Sequence, residues 1–203
     1  MAVKIIVAAC LLLGRVIARA DLSILHSQDL WPSPAAESEY GHGLTVDLGY
    51  GIYQGYNNAT SGLNIWKGCA LMNQAASLQT DIYSIRFAAP PTGERRWQMP
   101  HIPSTNRTLV NATKFGDVCP QVPTSKTPFQ PAADESEDCL FISVYAPPPP
   151  KGKKLPVMIW IHGGGYKHGN GRYDLTEFIT KNGNSIVGVQ IQYRVRPLAP
   201  NEK

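Results

Sequence analysis

Three consecutive glycines follow a histidine at the end of an apolar run, and this arrangement restricts the possible folds most. The run is Leu155-Pro156-Val157-Met158-Ile159-Trp160-Ile161, and His162-Gly163-Gly164-Gly165-Tyr166 continues it. A short apolar run bounded by turn residues predicts a buried strand, and its near-continuous apolarity predicts cover on both faces. The glycines admit backbone conformations closed to other residues and leave the N–H groups bare. Donors fixed in this way at a strand's carboxyl end can stabilise an oxygen that gains negative charge.

The residues that follow supply a crossover. Asp174 is placed to cap a helix over residues 174–181, with Glu177 three positions on and Gly183 just past the end. Residues 185–193 form a second apolar strand. Strand, turn, helix and strand in this order predict an α/β unit. Upstream, Leu44, Val46, Leu48, Tyr50 and Ile52 alternate with polar or glycine positions, which predicts a strand or short hairpin over 44–56. Phe87-Ala88-Ala89-Pro90-Pro91-Thr92-Gly93 is turn chemistry. Residues 138–145 predict a further strand, and residues 147–154 an exposed connector of four prolines, three lysines and a glycine. Residues 21–43 show no period and predict a loose segment.

The first twenty residues have the layout of a secretory signal peptide. Lys4 supplies the positive start, residues 5–13 the apolar centre, and Ala18-Arg19-Ala20 a small-x-small cleavage pattern. Nine apolar residues fall short of the ~20 that span a bilayer, so no transmembrane segment is expected. The formal net charge of +4 shrinks once this segment is set aside. Of 19 basic residues, Lys4, Arg15 and Arg19 lie in it, which leaves 16 against 15 acidic ones. That balance gives no nucleic-acid footprint. Secretion favours disulfides. Cys119 and Cys139 flank a polar, proline-containing stretch and could pair, leaving Cys69 as the odd cysteine. Asn58, Asn106 and Asn111 each begin an Asn-x-Thr glycosylation sequon.

Several longer segments resemble the type-B carboxylesterase/lipase family, in particular its secreted fungal members. They are Ser136-Glu137-Asp138-Cys139-Leu140-Phe141-Ile142-Ser143-Val144-Tyr145-Ala146-Pro147, the Trp160 to Tyr166 motif, the Arg86 to Gly93 stretch with Arg96-Trp97, and Val189-Gln190-Ile191-Gln192-Tyr193-Arg194. The resemblance runs from about Leu44 to Arg194. It implies an α/β-hydrolase fold with a mostly parallel central sheet and small antiparallel strands at the N-terminus. The chain would be the N-terminal portion of such a domain. The implied activity is hydrolysis of a small-molecule or lipid carboxylic ester through a serine nucleophile, with no cofactor and no metal. By the same resemblance Gly164 and Gly165, and less directly Gly163, would be the oxyanion-hole glycines, with His162 shaping their loop. Cys119 and Cys139 would form the family's first disulfide. Arg96 and Glu137 would form a buried structural ion pair beside it.

The chain also departs from the family pattern. The nucleophile's Gly-x-Ser-x-Gly elbow belongs after the strand at 185–193 and is absent, as are the acidic and histidine partners that follow it. Gly183-Asn184-Ser185-Ile186-Val187 lacks the second glycine and precedes its strand, so it is not that elbow. Removing residues 69–84 would join Gly68 to Ile85 in the family pattern; this segment carries Cys69 and reads as a retained short intron. Residues 195–203 depart as well. Other readings of the glycines fare worse. A dinucleotide fingerprint needs glycine where His168 stands, and the spacing of His162 and His168 matches no zinc pattern. The functional alternative is a secreted, non-catalytic binding or adhesion protein on the same fold. Taken alone, the mature 21–203 chain is expected to be inactive, unstable and prone to aggregate.

Overall fold

The computed structural model describes residues 44–68, 85–122, 134–148 and 154–195. The signal-like segment 1–20, the loose segment 21–43, the suspected insertion 69–84 and the tail from 196 lie outside the described residues.

A small sheet comes first. β1 (Thr45–Asp47) runs antiparallel to β2 (Gly51–Gln54), and β2 pairs in parallel with β6 (Asn106–Asn111). The alternating stretch 44–56 therefore does make the expected hairpin. β3 (Tyr56–Asn58) and β4 (Leu63–Trp66) form a second hairpin. Asn58 Oδ1 accepts the Thr60 N–H inside its turn, and Gly62 closes it at φ +69°.

The larger sheet runs β3-β4-β7-β9-β8, where β7 is Phe141–Ala146, β8 Val157–Ile161 and β9 Val187–Ile191, with β5 (Ile85–Arg86) also on β7. β7 lies at its centre, and its residues are buried from Phe141 to Tyr145. Ile142 and Val144 pack with Leu140, Ile85, Phe87, Val187 and Val189 in one core, while Tyr145 joins Leu63, Ile65, Leu175 and Ile179 in another. Alternate residues of one strand thus seed opposite faces. The helix α1 (Thr176–Lys181) covers the second face. It approaches closely because β9 (Val187–Ile191) presents Gly188, where a Cβ would lie 2.7 Å from Ile179 Cδ1 and 3.0 Å from Leu175 Cδ1. Asp174 Oδ1 accepts the Thr176 N–H at 2.8 Å, and Gly183 ends the helix at φ +65°. β8 (Val157–Ile161) and β9 are parallel neighbours, so the strand–helix–strand crossover is as expected. Among the described strands of this sheet that is the parallel pair; β3, β4, β5 and β9 meet their other partners antiparallel.

One expectation needs correction. β8 is not covered on both faces: Val157, Trp160 and Ile161 are 39%, 44% and 56% exposed. Among the described residues β8 pairs only with β9 and stands at the sheet's edge. Its apolarity is that of a central strand, yet among the described residues only Met158 and Ile159 of this strand reach the two cores and its outer edge is unpaired.

β4 and β5 share an edge of β7. Leu63–Trp66 ends opposite Val144, Gly68 N–H donates to Ser143 Oγ at 2.9 Å, and Ile85 resumes opposite Ile142. A Cβ on Gly68 would also lie 2.4 Å from the Ile142 carbonyl oxygen. Gly68 and Ile85 therefore crowd a single residue of β7, as two residues oppose one in a β-bulge.

Candidate active site

The glycine loop leaves the carboxyl end of β8 and folds back on itself. Gly164 has φ +127°, Gly165 +61° and Gly169 +116°. Two of these glycines are demanded by space as well as by dihedral. A Cβ at Gly164 would meet the His168 carbonyl oxygen at 1.8 Å, and one at Gly169 would meet the Gly163 carbonyl oxygen at 2.3 Å and His162 Nδ1 at 2.4 Å. Tyr166 also takes a positive φ of 61°, a strained choice for an aromatic residue. The Gly164 carbonyl accepts from the N–H groups of Lys167 and His168 at 3.1 and 3.2 Å, which closes the turn. The N–H groups of Gly164 and Gly165 donate to no acceptor among the described residues, and both glycines are exposed. Gly163 is exposed too and has open space at its Cα.

His162 is buried and turned into the loop. Its Nδ1 lies 2.9 Å from the Gly163 carbonyl. A carbonyl only accepts, so Nδ1 is the donor in this contact. Nε2 is buried without a partner among the described residues. The ring stacks on Tyr193 with centroids 4.0 Å apart and planes 13° apart. The Tyr193 hydroxyl donates to the His162 carbonyl, and burial, then nearby Tyr166, push its ionisation up. Tyr193, just past β9, thus secures the loop's first residue. At the far end Gln121 bonds Gly169 through both amide atoms, and the Val122 N–H donates to the Lys167 carbonyl at 2.9 Å. Gln192 Oε1 accepts the Gly171 N–H at 2.7 Å.

Cys119 and Cys139 are bonded, with Cα atoms 5.0 Å apart. Arg96 and Glu137 pair at 2.7 Å close by, and that partner raises the Arg96 pKa through its hydrogen bond and charge. This pair is not buried, however: its side chains are 44% and 26% exposed. The short turn Gly93–Arg95 carries Arg96 over the surface. The better-covered pair is Arg86–Asp138, two-pronged at 2.5 and 2.8 Å and 11% and 28% exposed. Arg86 also lies over the Phe141 ring at 4.8 Å. Sequence reasoning missed this pair, although Arg86 and Asp138 stand in the two segments that carry the resemblance. Tyr193 was quoted there without a role. Gln121 gave no signal beyond following Cys119-Pro120.

A cleft beside the disulfide is lined by Trp97, Pro120, Glu137 and Arg194 among others, and none of residues 162–169 lines it. Burial lowers the Arg194 pKa. Among the described residues no three His, Cys, Asp or Glu side chains are grouped to hold a metal ion. No helix there is long and apolar enough to cross a membrane. Asn106 and Asn111 are exposed and Asn58 is half-buried.

A parallel crossover that carries a glycine loop with two open amides at its strand end is the architecture of an α/β-hydrolase. Comparisons agree with it. The chain is 32% identical over 157 residues to the para-nitrobenzyl esterase of Bacillus subtilis, covering 75% of this chain and 28% of that protein. It is 36% identical to secreted lipase 4 of Gibberella zeae, covering 56% of this chain and 20% of the relative. Among solved structures, Aspergillus niger EstA superposes with a TM-score of 0.59 at 32% identity, covering 75% of this chain and 26% of that one. The Geobacillus stearothermophilus carboxylesterase EST55 gives 0.55 at 33% identity, covering 75% and 27%. The chain therefore spans about a quarter of the length of these relatives. A profile of the carboxylesterase family matches residues 70–199, more than half of the sequence. This chain belongs to the carboxylesterase family.

Proposed function

We propose that the chain is the N-terminal part of a secreted carboxylic ester hydrolase. Gly164 and Gly165 then supply two oxyanion donors, with Gly163 as a lesser contributor and His162 shaping the loop. A serine hydroxyl from a segment outside this chain attacks the ester carbonyl, and the serine proton passes to a base. The carbonyl oxygen takes the negative charge and accepts the two amides, after which the alcohol leaves and water releases the acid. The observation that carries this reading is the pair of amides without acceptors at the carboxyl end of β8. Such donors act only on a charge developed in the transition state. The test is turnover of a chromogenic ester by the longest product of the locus, with labelling of its nucleophile by a fluorophosphonate. Turnover and labelling are expected. Neither, with ligand binding retained, would favour the non-catalytic binding reading.

Secretion is supported by the signal-like layout of residues 1–20 and by a relative named a secreted lipase. It predicts glycans at Asn106 and Asn111, whose side chains are exposed; a mass shift on endoglycosidase treatment checks this. The reading of residues 69–84 as an insertion is supported by the register, since the chain leaves and rejoins one edge of β7 at Ile142. The family match, which begins at residue 70, speaks the other way. Sequencing the mature transcript decides: a message that keeps these codons ends the intron reading.

A further inference from the structure

The glycine loop is anchored by a residue outside both its strand and its helix. Gln121 Nε2 donates to the Gly169 carbonyl at 3.1 Å, and its Oε1 accepts the Gly169 N–H at 2.7 Å. The same Nε2 donates to the Cys119 carbonyl at 2.6 Å, which fixes the side chain to its own backbone. Next to it the Val122 N–H holds the Lys167 carbonyl. Gly169 is where the loop returns to its start, within van der Waals contact of Gly163 and His162. A clamp there sets the position of everything between, including the two open amides. Cys119, two residues before Gln121, is tied by its disulfide to Cys139, just before β7. The clamp is thereby referred to the central strand of the sheet.

We propose that Gln121 is a positioning residue for the oxyanion loop, holding Gly164 and Gly165 in place through Gly169. The catalytic part of this inference rests on the ester-hydrolase reading above. Gln121 touches no reacting atom, so its loss should leave ground-state binding alone and misplace the donors in the transition state. A small misplacement of such groups costs between about 10- and 100-fold in rate.

The experiment compares Gln121→Ala and Gln121→Glu with the parent in the longest product of the locus. Two quantities are read: ester kinetics, and amide hydrogen exchange by mass spectrometry. Gln121→Ala is expected to lower kcat between about 10- and 100-fold with KM within about twofold. Exchange should quicken in residues 163–169 and stay unchanged in β7 and β9. Gln121→Glu keeps an acceptor for the Gly169 N–H but sets a carboxylate oxygen against the Cys119 and Gly169 carbonyls, so it should restore neither kcat nor the slow exchange of residues 163–169. Unchanged exchange in 163–169, equal loss of protection in β7 and β9, or parental kcat in an active enzyme would overturn the proposal. A parent without turnover would sink the ester-hydrolase reading alone; exchange confined to the loop would still support the clamp, and unchanged exchange would still overturn it.

Discussion

Single residues here are fixed by what an added or lost atom meets. At Gly164 a methyl group would stand 1.8 Å from a carbonyl oxygen, and φ +127° is closed to L side chains. Gly164→Ala should therefore displace its own amide, and loss of one oxyanion donor costs about 10²–10³ in turnover; kcat on a chromogenic ester checks it. The two ion pairs should separate by burial. Arg86→Met removes a guanidinium only 11% exposed and bound twice to Asp138, and should cost about 2–3 kcal/mol, whereas Arg96→Met removes one that is 44% exposed and should shift the urea midpoint less, by under about 1 kcal/mol, although the acids left behind are alike in exposure. Tyr145 offers a test by pH. Its hydroxyl is buried without a partner among the described residues, and burial raises its pKa above the ordinary value near 10. The unfolded chain then ionises first. Stability is intact below about pH 10 and falls as pH climbs from there toward the folded value. Tyr145→Phe should flatten that alkaline decline and leave stability at pH 7 unchanged or higher; urea titrations across this range would show it.

Elements in this molecule are defined by their neighbours more than by their own sequence. β7 is buried from Phe141 to Tyr145 because β4, β5 and β9 flank it. β8, no less apolar, lies at the edge with three of its five residues exposed. The disulfide links the loop-clamping segment to β7 across 20 positions, and its reduction should cost about 3 kcal/mol. Reduction should also speed exchange in residues 163–169, because Gln121 loses its anchor. The interrupted strand made by β4 and β5 yields another expectation. Deleting residues 69–84 joins Gly68 to Ile85 along an edge they already share, so the longest product should be at least as soluble without them; soluble yield is the measurement.

For the whole molecule, the open side of β8 matters most. Val157, Trp160 and Ile161, with Tyr173 stacked on Trp160 at 5.9 Å, leave an apolar surface beside an unpaired strand edge among the described residues. Such an edge invites pairing with another chain. The 203-residue chain by itself should bind a hydrophobic dye and associate, and light scattering across a concentration series is the measurement; a monomer with a cooperative melt would contradict this.

Local chemistry alone determined much of this protein. The period-two stretch before Tyr56 and the apolar strands at 138–145 and 185–193 are short-range patterns, and each became strand within the span it predicted; the helix begins at Thr176 with Leu175 in the cap position, and Asp174 accepts its first N–H. The sequence segments around Arg86, Cys139 and His162 were enough to identify the family. Tertiary structure decided the rest, because burial and partnership depend on residues far apart in the chain. It left Arg96–Glu137 exposed and covered Arg86–Asp138, 52 positions apart. It brought Gln121 to Gly169 across 48 positions and Tyr193 to His162 across 31. It also set β8 at an edge: apolarity records what a strand is suited to bury, while only the sheet order decides whether anything lies against it.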